Sequence, residues 1–320
     1  MALHKIPYTD EYFLQIRDFL VSTYDPHSIH PNWHIDRWNF CRHVSQTIHE
    51  TVENWPAVVG LWVDEKDAIQ AVVNSEGENR GEVFFQLARR EFTDRDLGEF
   101  IDFAEDNLSL KDEGSREQVD LHAGPDFLQL GRILLDRGYK LAGKEESGIL
   151  EITGPLNVVV PDGMRLVDGP GFSDERRGLA HSLAFGYARE DEDMLEKYHI
   201  VEAFANMRLA PDYRSDLDLA ILDQDGQVAA FANFWFDEVN KIGILEPLGT
   251  IPVYQEHGLA SALLSEGVNR LLQLGANRLY GGAGQPFYEK FGFEIVEYRE
   301  IWQKKWSGRN RGERIWIQTN

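Results

Sequence analysis

Cysteine is almost missing. Cys41 stands alone in 320 residues, which excludes internal disulfides and any zinc site built from several cysteines. Long apolar runs are missing too. No stretch approaches the roughly 20 apolar residues that a membrane helix needs, and residues 1–5 lead into Pro7 and Asp10 without a signal-like apolar segment. Basic charge is scarce: 32 Lys and Arg against 54 Asp and Glu leave a net charge of −22. That balance argues against partners such as nucleic acid or an anionic membrane. The expectation is a cytoplasmic protein with neither partner. Metal-ligand spacing is absent as well. His181, His199 and the group His27, His30 and His34 show no convincing pattern with carboxylates, so no metal is expected.

An apolar fraction of 42% supports packed cores, and the length suggests two domains. The chemistry concentrates in residues 245–293. An apolar run from Ile242 to Leu248 is short enough for a strand, and Pro247 and Pro252 predict a bulge at its end. After Gly258, Leu259, Leu263 and Leu271, with Leu264, Val268 and Leu272 one position on, keep helical spacing, and Gly275 suits a C-cap. A helix opening at a glycine turn after a strand offers unpartnered amides and a positive dipole end to a phosphate. The lysine and hydroxyl of a Walker motif are absent. Leu279 and Tyr280 then form a short strand, residues 281–284 are glycine-rich, and residues 285–290 fit a short helix carrying Tyr288.

These two motifs, in this order and spacing, resemble the GNAT superfamily of acyl-CoA-dependent N-acetyltransferases. The family's turn has Gln or Arg, two variable residues, Gly, one variable residue, then Gly or Ala; Gln255, Gly258 and Ala260 match it. Tyr288 to Phe293 is similar to the family's tyrosine helix. Many members place a cofactor-contacting asparagine before that helix; here Gly281 stands near that place. The resemblance implies an acetyl-CoA site formed by Leu248, Gly249, Thr250, Gln255, Glu256, His257, Gly258, Leu259, Ala260 and Ser261. It also implies direct acetyl transfer to the amine of a small molecule or peptide. Tyr288, a phenol with pKa near ~10, is the candidate acid for the departing thiolate. Glu246, just before the turn, is the candidate base, acting through a water. The acidic surface suits a cationic amine acceptor. The alternative is a non-catalytic acyl-CoA-binding or protein-interaction module on the same scaffold.

The first half repeats the element order of the second. Helices are expected at residues 10–24 and within 33–53, strands at 57–63, 68–73 and 82–87, a helix at 96–108, a strand at 119–123, a helix at 127–135 and a strand ending near Ile152. In the second half, helices at 178–187 and 192–207 precede a hairpin of strands 217–222 and 228–236. Residues 136–139 fall where 290–293 fall in the second half. The fold class expected is therefore α/β (α+β): two tandem GNAT-like domains, each with a mixed, mostly antiparallel sheet flanked by helices. The boundaries are 1–154 and 158–320, with residues 154–157 as linker. The first half lacks the glycine turn. Thr93 reads as an N-cap followed by Asp94 and Asp96, which would repel a pyrophosphate, so that half is expected to bind no cofactor. It would instead form a wall of the acceptor cleft or stabilise its partner. The basic stretch Lys304, Lys305, Arg309, Arg311 and Arg314 is expected to pair with the protein's own carboxylates.

Overall fold

The computed structural model describes residues 2–25, 32–45, 47, 55–76, 81–88, 91–111, 116–187 and 199–307. His27, His30, Ile48, the acidic run at 191–193, the three arginines 309, 311 and 314, and the apolar run 315–317 lie outside them.

The first half runs β1 (His4–Pro7), α1 (Phe13–Ser22), α2 (Ile35–Phe40), β2 (Val59–Val63), β3 (Ile69–Asn74) and β4 (Glu82–Leu87). It continues with α3 (Asp94–Asn107), β5 (Leu110–Lys111), β6 (Arg116–Ala123), α4 (Leu128–Asp136) and β7 (Lys140–Glu151). Phe13, Ile16, Phe19 and Leu20 are buried on one face of α1, as their spacing requires. The second expected helix is interrupted: after α2 the chain passes into a π-turn at Cys41–Ser45. The β2–β3 turn is the acidic one, closed by the amide of Asp64 donating to the carbonyl of Ala68.

The second half runs β8 (Arg165–Asp168), α5 (Asp174–Ala184), α6 (Ile200–Met207), β9 (Asp218–Leu222), β10 (Val228–Asp237) and β11 (Ile242–Thr250). Then come α7 (Leu259–Gln273), β12 (Arg278–Gly281), α8 (Pro286–Phe291) and β13 (Glu294–Ser307). In α7, Leu259, Leu263, Leu264, Val268 and Leu271 are buried against β10 and β11. Truncating a fully buried leucine there costs about 2–5 kcal/mol.

The halves do not keep separate sheets. Their strands form one 13-stranded sheet in the order β1-β2-β3-β4-β6-β13-β7-β12-β11-β10-β9-β8, with β5 beside β6. Among the described residues only β4–β6 and β11–β12 pair in parallel. The two halves are joined through the longest strands. β13 of the second half lies between β6 and β7 of the first, and β7 lies between β13 and β12. Each half's last strand closes an edge that β6 or β12 would otherwise leave open, with a full row of unpaired amides and carbonyls. A shared apolar cluster seals the contact: Val21, Ile35 and Val44 from the first half meet Phe204, Met207 and Trp235 from the second. Arg17 binds Asp212, which also accepts from Asn39 at 2.7 Å. Lys304 pairs with Glu105 at 2.7 Å, as expected of that basic stretch.

Candidate active site

The site begins where two parallel strands part. β11 and β12 pair over Ile242–Ile244 and Arg278–Tyr280 only. Beyond that point β11 runs on to Thr250, paired with β10 alone. Register shifts between Ala232 and Phe234, so Glu246 and Pro247 bulge opposite Asn233, as the prolines foretold. The carbonyl of Glu246 accepts from the Trp235 indole at 3.0 Å, which fixes the bulge. The backbone of residues 248–250 therefore presents an edge that no strand covers on the β12 side, open to a ligand that hydrogen-bonds like a strand.

A turn follows that strand end. The Gln255 amide side chain reaches back to the Thr250 carbonyl at 3.3 Å, and the Tyr254 hydroxyl donates to Asp223 at 2.6 Å. Gly258 has φ +79°, a conformation that L side chains adopt only with strain, and a Cβ there would point into open space. Helix α7 starts at the next residue with no side chain capping its amides. Its first-turn N–H groups lack helical acceptors and face an approaching anion with the positive end of the dipole.

Tyr288 comes from α8. Its ring meets Phe287 and Phe293 edge-on at 5.3 and 5.4 Å. Its phenol lies over Gly282, where a Cβ would stand 2.8 Å from the hydroxyl. The glycine-rich run thus has a packing cause: a larger residue at 282 would displace the tyrosine. Burial, and then the nearby charge of Glu246, push the Tyr288 phenol up to about 12. It stays protonated at neutral pH, as a proton donor must.

Leu248, Gly249, Thr250, Gln255, Glu256, Gly258, Leu259, Ala260, Ser261 and Tyr288 all line one cavity of about 500 Å³. Two residues singled out in the sequence stand apart. His257 does not line it; its Nδ1 lies 2.7 Å from the Gln255 carbonyl and its side chain is exposed. Glu246 is not in the lining of that cavity but lines two others. One, of about 410 Å³, has an apolar lining that includes Phe185, Phe204, Met207 and Trp235, with Asp36 and Arg37 from the first half. The other, of about 230 Å³, is polar and includes Glu76, Glu145 and Arg299. Phe185 borders both the 500 Å³ and the 410 Å³ cavities. Sequence reasoning missed Asp36, Arg37, His181 and Phe185 as cavity residues. They come from α2 in one half and from α5 and its C-cap in the other, and only the helices' packing brings them together. Among the described residues no cluster could hold a metal.

Residues 181–293 match the Acetyltransferase (GNAT) family. The uncharacterized N-acetyltransferase YhbS of Escherichia coli K12 is 28% identical over 116 residues, covering 33% of this chain and 68% of that protein. Among solved structures, a tandem GNAT protein from the clavulanic acid biosynthesis pathway superposes with a TM-score of 0.60 at 12% identity, covering 95% of this chain and 98% of that one. A GCN5-related N-acetyltransferase from Sphaerobacter thermophilus gives 0.58 at 14% identity, covering 95% of each chain. These two likenesses are of fold.

Proposed function

We propose, on the premise that the chain belongs to the GNAT acetyltransferase family through its second half, that it moves the acetyl group of acetyl-CoA directly onto an amine. The observation that carries the proposal is the convergence on one cavity of three features. These are the open β11 edge at 248–250, the uncapped start of α7 at Gly258, and the protonated Tyr288.

In this reading the pyrophosphate sits on the first amides of α7, and the pantetheine arm lies along residues 248–250 as a strand would. Backbone amides there stabilise the oxygen of the tetrahedral intermediate. Glu246, beside the point of attack, takes the amine's proton through a water. The freed amine nitrogen then bonds to the acetyl carbon, the carbon–sulfur bond breaks, the thiolate takes the Tyr288 proton, and the proton that the amide nitrogen sheds returns to the phenolate through solvent. Cys41 is buried in the core of the first half and serves no covalent route. We assign the reaction to a domain of residues 158–320 and take residues 1–154 as a domain without cofactor.

Calorimetric titration with acetyl-CoA tests the reading. One saturable equivalent per chain, followed by thiol release when an amine is added, is expected. No binding at low salt would overturn it. Binding without thioester consumption across an amine panel would leave a coenzyme-binding module instead of a catalyst.

A further inference from the structure

The acceptor's chemistry is written in the cavities that flank Glu246. That carboxylate lines both the 410 Å³ apolar cavity and the 230 Å³ polar one. Tyr288 feels its charge, so Glu246 marks the side on which an amine reaches the acyl group. The apolar cavity shares Phe185 with the proposed coenzyme site and therefore adjoins the same point. We propose that the acceptor is an amphipathic primary amine: an aryl or branched alkyl body seated among Phe204, Met207 and Trp235, with its ammonium group directed at Glu246 and Asp36. The inference rests on the acetyl-transfer reading above and names its substrate class.

Three observations support this choice over a sugar, a polyamine or an extended peptide. The body of the cavity offers few hydrogen-bond partners. Phe204, Met207 and Trp235 are at most 4% exposed, and hydroxyls or charges placed against them would lose their water without replacement. His181, also in the wall, adds no charge: burial and the neighbouring Arg177 push its imidazole down to about 3, so it is neutral under ordinary conditions. The charged groups in the lining are Asp36, Arg37 and Glu246, and the charges of both carboxylates act on the Arg37 guanidinium. A lining of apolar side chains with two carboxylates and one guanidinium fits a molecule with an apolar body and a single cation. A polyamine would bury a second cation, and Phe204, Met207 and Trp235 offer it no partner.

The test titrates 4-phenylbutylamine into the intact protein, both free and loaded with coenzyme A, and then measures thiol release at saturating acetyl-CoA. The panel is 4-phenylbutylamine, ethylamine, spermidine and glucosamine. One saturable site for the phenylalkylamine with a negative heat-capacity change is expected. Its kcat/KM should exceed that of ethylamine by at least about tenfold, as methylene-scale discrimination in apolar pockets implies. Tyr187, on the cavity's exposed rim, provides a folded variant: Tyr187→Asp should raise KM for the phenylalkylamine while leaving acetyl-CoA affinity unchanged. Faster turnover of spermidine or glucosamine, with coenzyme still bound, would overturn the inference and spare the proposed function. So would absence of any phenylalkylamine site in both titrations. Failure of acetyl-CoA to bind would instead strike the proposed function, and the titration of the free protein would still decide whether the apolar cavity takes this ligand.

Discussion

Helices α3 and α7 begin at corresponding places and treat their first amides in opposite ways. Each follows a strand whose parallel partner has just diverged. β4 pairs with β6 through Glu82–Phe84, and β11 with β12 through Ile242–Ile244. In the second half the opening is left clear. In the first it is filled by the chain itself. Thr93 accepts from the Asp96 amide at 3.1 Å, and Asp96 accepts in return from the Thr93 amide. Asp94 adds a carboxylate held by Gln129 and Arg132. On the strand, the side chain of Asn32 bonds both backbone groups of Leu87, at 2.8 and 3.0 Å, as a neighbouring strand would. The Gln86 side chain accepts from the Trp33 amide at 2.7 Å. One scaffold can thus leave this opening clear or fill it with its own side chains, and the difference rests on a handful of residues.

The largest expected effect breaks the second half's turn. Gly258→Trp should weaken acetyl-CoA by more than about a hundredfold, or roughly 2.7 kcal/mol, because its side chain would occupy the open space before α7. Circular dichroism should show the helices intact, and unchanged affinity in calorimetry would remove the phosphate-turn assignment. Next comes Tyr288→Phe, which should lower kcat by about 10²–10⁴ while binding changes little. With the phenol raised to about 12, the acid stays protonated as pH rises past its ordinary value. The parent enzyme should therefore show no alkaline loss of kcat from this group until pH nears about 12. Equal rates for the variant and the parent would rule out the acid role.

A smaller effect sharpens the contrast from the other side. Thr93→Ala should cost about 1 kcal/mol of stability, read from denaturant melts. It should not add a second acetyl-CoA equivalent, since Asn32 still fills the strand edge. Two equivalents would mean that capping alone had kept the first half empty. The smallest effect concerns the seam between the halves. Burial pushes Glu145 up, but the His122 imidazole 3.3 Å away and the charge of Arg299 on β13 outweigh it and hold the carboxyl at about 2. A depressed carboxylate stabilises the fold above its ordinary pKa. That contribution fades as pH falls from 4.5 toward about 2. Glu145→Gln should flatten this part of the stability profile, measured by melts across the acid range, and an unchanged profile would discount the pair.

Much of this was legible locally. The period of α7, the glycines at 258 and 275, the bulging prolines and the acidic cap at Thr93 all act within a few residues of themselves, so the chain displays them directly. Asn32 was not legible, because a loop asparagine gives no sign of the strand edge it will cover. Nor was the placement of β13: alternation of side chains tells which face of a strand is buried, not which strand will lie beside it. The apolar cavity escaped for the same reason, being built from α2 on one side and α5 and α6 on the other. His257 shows the limit of motif reading. It sits in the right motif, but its ring turns to its own backbone.

The interleaving of β7 and β13 also bears on synthesis. A ribosome delivers β6 long before β13, and until β13 arrives the growing first half carries an edge with no neighbour. That half cannot complete its sheet co-translationally. Its closing contacts are among the most distant in the chain, an arrangement that slows folding and prolongs the exposure of a sticky edge. By the same logic, cutting the chain near residue 155 would yield two fragments that each lack a strand the other holds. Added back together, they should reassemble as a complementing pair.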